Sequence, residues 1–193
     1  VPPSTGLLRL RLRPAVARDL RPVTPATLDP GSELPRLELE GLTVRLPTTA
    51  RPVLSSIHLR LEPGEVVGIL GHSGCGKTTL LHTVAGLLPW LRPATVTGSL
   101  RLDADSLAEL DPGQRARLIA TCLDRPSAQL FLQTPSRELE AAERLHGRSA
   151  LLPRLVERLG LEPLLERRTT ALSSGECQRV ALAVALAAAP RPV

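Results

Sequence analysis

The segment Gly71-His72-Ser73-Gly74-Cys75-Gly76-Lys77-Thr78-Thr79 places glycines, the only lysine of the chain and a hydroxyl residue at the offsets that polyphosphate chemistry requires. Glycines let successive backbone N–H groups turn inward around phosphate oxygens. Lys77 can reach the β and γ oxygens, and the Thr78 hydroxyl is a hard oxygen ligand for Mg²⁺. The apolar run Glu65-Val-Val-Gly-Ile-Leu70 leads directly into these residues, so a strand delivers a glycine-rich turn that opens a helix. That context favours a nucleotide site over a glycine turn that binds nothing. His72, Ser73, Gly74 and Cys75 fill the variable positions, and at Cys75 a small residue is all that is needed.

A second segment, Leu172-Ser173-Ser174-Gly175-Glu176-Cys177-Gln178-Arg179, precedes an alanine-rich helix expected over Gln178 to Ala189. A serine ahead of an apolar helix is a common N-cap, and helix N-termini bind anions. The segment resembles the LSGGQ-x-QR signature of ATP-binding-cassette (ABC) ATPases, and Ser173 follows Lys77 by 96 residues, a separation that suits that family. The resemblance covers about Leu37 to Val193. It implies ATP and Mg²⁺ as cofactors and an α/β fold: a P-loop NTPase cassette core with an antiparallel β edge and a helical subdomain. It also implies two cassettes paired head to tail, with Ser173, Ser174, Gly175 and Glu176 of one closing over the γ-phosphate held by the other. The implied partners are a second cassette and integral membrane transporter subunits. The implied location is cytoplasmic, peripheral on the inner face of the plasma membrane.

Within that family the chain looks closest to energy-coupling-factor importers of metal ions and vitamins. Pro126-Ser-Ala-Gln129-Leu-Phe131 is similar to a segment following the Q-loop glutamine in that group, and Gly86-Leu-Leu-Pro89 and Ser174-Gly-Glu agree with it. Three departures stand out. Asp124 aligns with the Q-loop glutamine, a Mg²⁺ contact in the family; a carboxylate remains a hard oxygen ligand, and Gln129 is the second candidate for that role. Leu46 aligns with the aromatic residue that stacks on adenine, which removes a platform worth about 1–3 kcal/mol if base stacking elsewhere is a guide. The sequence ends at Pro190-Arg-Pro-Val193, where the family begins the strand carrying a Mg²⁺-binding Asp and a water-polarising Glu. A C-terminally incomplete cassette with almost no turnover of its own is therefore expected, and neither Glu138 nor Glu166 sits in a pattern that would substitute. A non-catalytic cassette serving as the structural or regulatory half of a dimer is the alternative reading.

The elements that must position these residues are legible in outline. With 193 residues the chain can hold one good core plus an appendage. Residues 1–35 are Pro- and Arg-rich without sustained periodicity, as in a linker or disordered tail. The cassette is expected over 36–193, with alternating strands at Leu37–Leu46, Val53–Leu61 and Thr95–Asp103, a helix over Lys77–Leu88, and a strand at Leu118–Leu123. A short helix interrupted near Asp111-Pro-Gly spans Ser106 to Arg117. Leucine spacing predicts amphipathic helices in a subdomain of about 130–172. The net charge of +5 arises almost wholly from dispersed arginines, and one Trp, one Phe and no Tyr leave no stacking surface, which argues against nucleic acid as a partner. Three separated cysteines, Cys75, Cys122 and Cys177, fit a reducing compartment, and His58, His72, His82 and His146 are isolated. The longest apolar run, Val180 to Ala189, is too short to span a bilayer.

Overall fold

In the computed structural model, residues 8–11, 35–146 and 152–188 are described, and the chain divides into two compact units, one running to Arg115 and the other starting at Ala116. The first unit contains strands β1 (Leu8–Arg11), β2 (Leu37–Arg45), β3 (Leu54–Leu61), β4 (Val67–Leu70), β5 (Thr95–Leu102) and β6 (Asp105–Ser106), with helix α1 (Lys77–Val84) and all but the last residue of α2 (Pro112–Ala116). Strands β3, β2, β5 and β6 form one antiparallel sheet in that order, the edge expected from alternation. Leu37, Leu39, Leu42, Val44 and Leu46 are not in one phase: the alternation slips by one residue at Gly41. A slip of one would turn half the leucines outward. Register irregularities between Leu39 and Leu42, and between Glu40 and Thr43, absorb it, so that Leu39, Leu42, Val44 and Leu46 are all buried. On β3 the same slip falls between Leu54 and Ile57, where Ser56 takes a φ of 49°.

Strand β4 pairs with β1 in an antiparallel two-stranded sheet, Leu8 facing Leu70 and Arg11 facing Val67. β1 lies inside the stretch read as linker; residues 1–7 and 12–34 of that stretch are outside the described residues. A turn at Pro63-Gly64 feeds β4, as the Glu62-Pro-Gly signal predicts.

The second unit holds α3 (Pro135–His146), α4 (Leu152–Leu159) and α5 (Ser174–Ala188), with 3-10 turns at Pro126–Gln129, Glu162–Leu164 and Thr169–Ala171. Its core is Leu139, Leu161, Leu164, Val180 and Ala183, with Leu152, Val156 and Leu159 of α4 packed against it. The leucine spacing therefore marks helices, as expected. The strand expected at Leu118–Leu123 is absent: a turn occupies 117–118 and irregular backbone follows. The reason is local. The Gln129 side chain takes the place of a neighbouring strand, its Oε1 accepting from Leu123 N at 2.7 Å and its Nε2 donating to Thr121 O at 3.2 Å. Among the described residues no helix is long and apolar enough to cross a membrane.

Candidate functional site

The phosphate loop is built as its residue types dictate. Gly74 and Gly76 take φ of 80° and 99°, and Gly76 is the left-handed N-cap of α1. A Cβ on Gly76 would lie 2.7 Å from Leu54 Cδ2 and 3.2 Å from the Val53 carbonyl, so the loop rests on the start of β3. Helix α1 has no side-chain cap, which leaves its first backbone N–H groups as donors, and it carries no acidic residue in its first turn. Lys77 Nζ donates to the carbonyls of Gly71 and His72, each at 2.9 Å, and lies 3.7 Å from Cys75 Sγ. The lysine is thus held by the carbonyls of its own loop, where an ammonium could meet a polyphosphate.

Around it, Cys75 is buried and its N–H donates to His72 O at 3.3 Å, closing the loop's inner turn. The His72 ring Nδ1 is 2.8 Å from Ser73 O, and His72, Ser73 and Thr78 are exposed. Among the described residues the Thr78 hydroxyl makes no hydrogen bond, so this hard oxygen next to the lysine is open to a Mg²⁺ ion. Thr79, predicted as a nucleotide contact, has its side chain buried on the packed face of α1. The donor set, the Lys77 cation, the exposed hydroxyls of Ser73 and Thr78 and uncapped amides with no acid in the first turn of α1, fits Mg-nucleotide.

At its other end α1 closes with a Schellman motif: Leu87 N donates to His82 O at 2.8 Å and Gly86 N to Thr83 O at 3.1 Å, with Gly86 at a φ of 74°. Leu46, predicted to lie at the base position, is only 9% exposed, so its side chain belongs to the core and offers no platform.

The signature segment occupies the second unit. Ser173 Oγ accepts from Glu176 N at 3.3 Å while Glu176 Oε2 accepts from Ser173 N at 2.6 Å, a reciprocal capping box at the start of α5. Arg167 Nη1 reaches Glu176 Oε1 at 2.8 Å, and its Nη2 donates to Ala171 O. The N–H and hydroxyl of Ser173, then Arg167, hold the Glu176 carboxyl below the usual carboxylate range. Glu176, predicted as a nucleotide contact, is thus a cap whose charge is already paired. Ser174 and Gly175 are exposed in the first turn. Arg179 donates to the carbonyls of Leu159 and Gly160, tying α5 to the end of α4.

The two Q-loop candidates differ. Asp124 is exposed and, among the described residues, has no hydrogen-bond partner, whereas the Gln129 amide is held by the backbone of 121–123. Glu138 is buried with its carboxylate accepting from Leu132 N, a structural role. Two residues that sequence reasoning passed over, Arg115 and Arg167, make several side-chain bonds each. Neither sits in a motif; only the Ser173-x-x-Glu176 spacing was a readable signal, that of a capping box.

The ABC transporter family profile matches residues 54–192, from the start of β3 through both motifs. The chain belongs to the ABC transporter family. An ABC transporter ATP-binding protein of Treponema denticola is 33% identical over 162 residues, covering 78% of this chain and 32% of that protein. The oligopeptide transport ATP-binding protein OppD of Mycobacterium tuberculosis is 36% identical over 173 residues, 81% of this chain and 28% of that protein. The taurine import ATP-binding protein TauB of Escherichia coli O157:H7 is 33% identical over 141 residues, 73% of this chain and 53% of that protein. A solved ATP-binding subunit of an ABC transporter superposes with a TM-score of 0.60 at 22% identity, covering 80% of this chain and 62% of that one, which shows the cassette fold. The chain spans between about a quarter and a half of the length of these curated relatives.

Proposed function

We propose that this chain is the Mg-ATP-binding part of the subunit that powers an ABC importer of the energy-coupling-factor type, working as one of two paired cassettes on the inner face of the plasma membrane. The observation that carries this reading is Lys77 poised over an uncapped, acid-free helix N-terminus beside the open Thr78 hydroxyl. Importer-type relatives and the Pro126-to-Phe131 segment support the transport role. Trp90 and Leu91 in the first unit and Phe131 in the second are exposed apolar side chains of the kind that a membrane subunit would cover.

In this reading the chain binds nucleotide and the native protein in its assembly turns it over. The alternative, a non-catalytic cassette acting as the structural or regulatory half of a dimer, draws support from the exposed Asp124 carboxylate and the buried Leu46. Sedimentation velocity of the chain with and without saturating Mg-ATP tests the pairing, and ATPase assay of the native protein separates the two readings. Nucleotide-dependent dimerisation with hydrolysis supports the importer ATPase; dimerisation without hydrolysis selects the non-catalytic cassette. A chain that neither binds nucleotide nor dimerises contradicts both.

A further inference from the structure

Arg115 is 4% exposed, yet among the described residues every group it reaches is a backbone carbonyl. Its Nη1 donates to Thr83 O at 2.9 Å and to Val84 O at 3.4 Å; its Nη2 donates to Leu107 O; its Nε is buried with no partner among the described residues. Burial pushes the guanidinium below its ordinary pKa, but an arginine stays protonated at neutral pH. A buried cation without a carboxylate needs another source of negative potential. Here the source is the last turn of α1, whose carbonyls form the negative end of the helix dipole.

The backbone leaves room for this contact. At Gly86, whose φ is 74°, a Cβ would lie 2.7 Å from Arg115 Cδ and 2.8 Å from Nε, so a side chain there would displace the arginine from its place across the helix end. The Schellman motif at Thr83 and Gly86 and the arginine therefore share one small volume. The opposite end of the same helix is the phosphate loop. Helix α1 has 8 residues, about 12 Å, too short to hold its shape without tertiary ties.

We infer that Arg115 is a positioning residue for nucleotide binding: its guanidinium pins the C-terminal turn of α1 to the Leu107 carbonyl, and thereby fixes where Lys77 and Thr78 stand at the N-terminal turn. The planar fork matters, because a single ammonium cannot bridge Thr83 and Leu107 with fixed geometry. This inference rests on the nucleotide-binding reading above.

The test is a titration of the full chain with a fluorescent ATP analogue and Mg²⁺ at about 10 °C, with circular dichroism confirming that each variant is folded. Arg115→Gln should weaken binding at least tenfold, and Arg115→Lys about threefold to tenfold. Gly86→Ala, which crowds Arg115 without removing it, should weaken binding as well, and the double variant should cost less than the product of the two single effects. Hydrogen exchange without nucleotide should show the amides at 81–87 opening faster in Arg115→Gln. Folded Arg115→Gln or Arg115→Lys with wild-type affinity overturns the inference. Loss of the whole fold in both also overturns it, since Arg115 would then serve the entire unit and not one helix end. If wild type itself fails to bind, the functional reading falls, and hydrogen exchange at 81–87 still decides whether Arg115 anchors the helix.

Discussion

The N-termini of α1 and α5 follow glycine- or serine-bearing motifs of similar type but are finished in opposite ways. At α1 no side chain among the described residues caps the helix: the N-cap is a left-handed glycine, the first turn carries no acid, and Lys77 leans on its own loop carbonyls. At α5 the serine of the signature and Glu176 cap one another, and Arg167 neutralises the acid. An uncapped N-terminus leaves donors that a phosphate can satisfy, whereas a reciprocal cap orders the helix by itself. In the proposed reading nucleotide completes the loop at α1, whereas the signature helix is completed by its own sequence. Ligand should therefore stabilise the first unit strongly and the second unit little.

The largest effect that could break this contrast is at Gly76. Gly76→Ala forces a side chain onto a φ of 99° and against Leu54 Cδ2. It should lower stability by about 2–3 kcal/mol and reduce nucleotide affinity more than tenfold, read by urea unfolding and titration; unchanged values would mean that the loop is not held against β3 as described. At α5 the corresponding change, Ser173→Ala, removes the N-cap and should cost about 1 kcal/mol. Nucleotide affinity at the phosphate loop should stay within twofold of wild type; a drop to the level of the Gly76 variant would erase the distinction between the two ends.

A pH series sharpens it. The folded-state pKa of Glu176 is lowered, so its contribution is fully present above the ordinary carboxylate range and is lost as pH falls through the lowered value. Glu176→Gln keeps a capping acceptor without titrating. Melting curves between neutral and acid pH should fall less steeply for that variant than for wild type, and parallel slopes would show that the carboxylate is not holding the cap.

The smallest expected difference concerns the base. With Leu46 in the core, ATP and GTP should compete within about threefold, roughly 0.7 kcal/mol. A hundredfold preference for ATP would reveal a base-reading group elsewhere.

Much of this was legible because its signals are local. The local conformations at Gly71 to Thr79 and Ser173 to Glu176 were readable since glycine conformations and capping spacings act within a few residues. Helix α4 follows from leucine spacing, and α5 from the alanine-rich run after Gln178. Three features were not legible, each because a residue outside the segment's own pattern decides it. The backbone at 121–123 pairs with the Gln129 side chain and not with a strand. The slip at Gly41 is absorbed by bulges facing β3 and β5. Arg115 reads as one more surface arginine until the fold brings Thr83, 32 residues earlier in the chain, to its guanidinium.

The most direct test of the central claim is the affinity of the chain for Mg-ATP with and without the lysine ammonium. Lys77→Ala removes the one side-chain cation of the loop and leaves its glycine geometry intact. Equilibrium titration with a fluorescent ATP analogue should show wild type binding at least tenfold more tightly, about 1.4 kcal/mol or more. Equal affinities in two folded proteins would contradict the assignment of Gly71 to Thr78 as the nucleotide site.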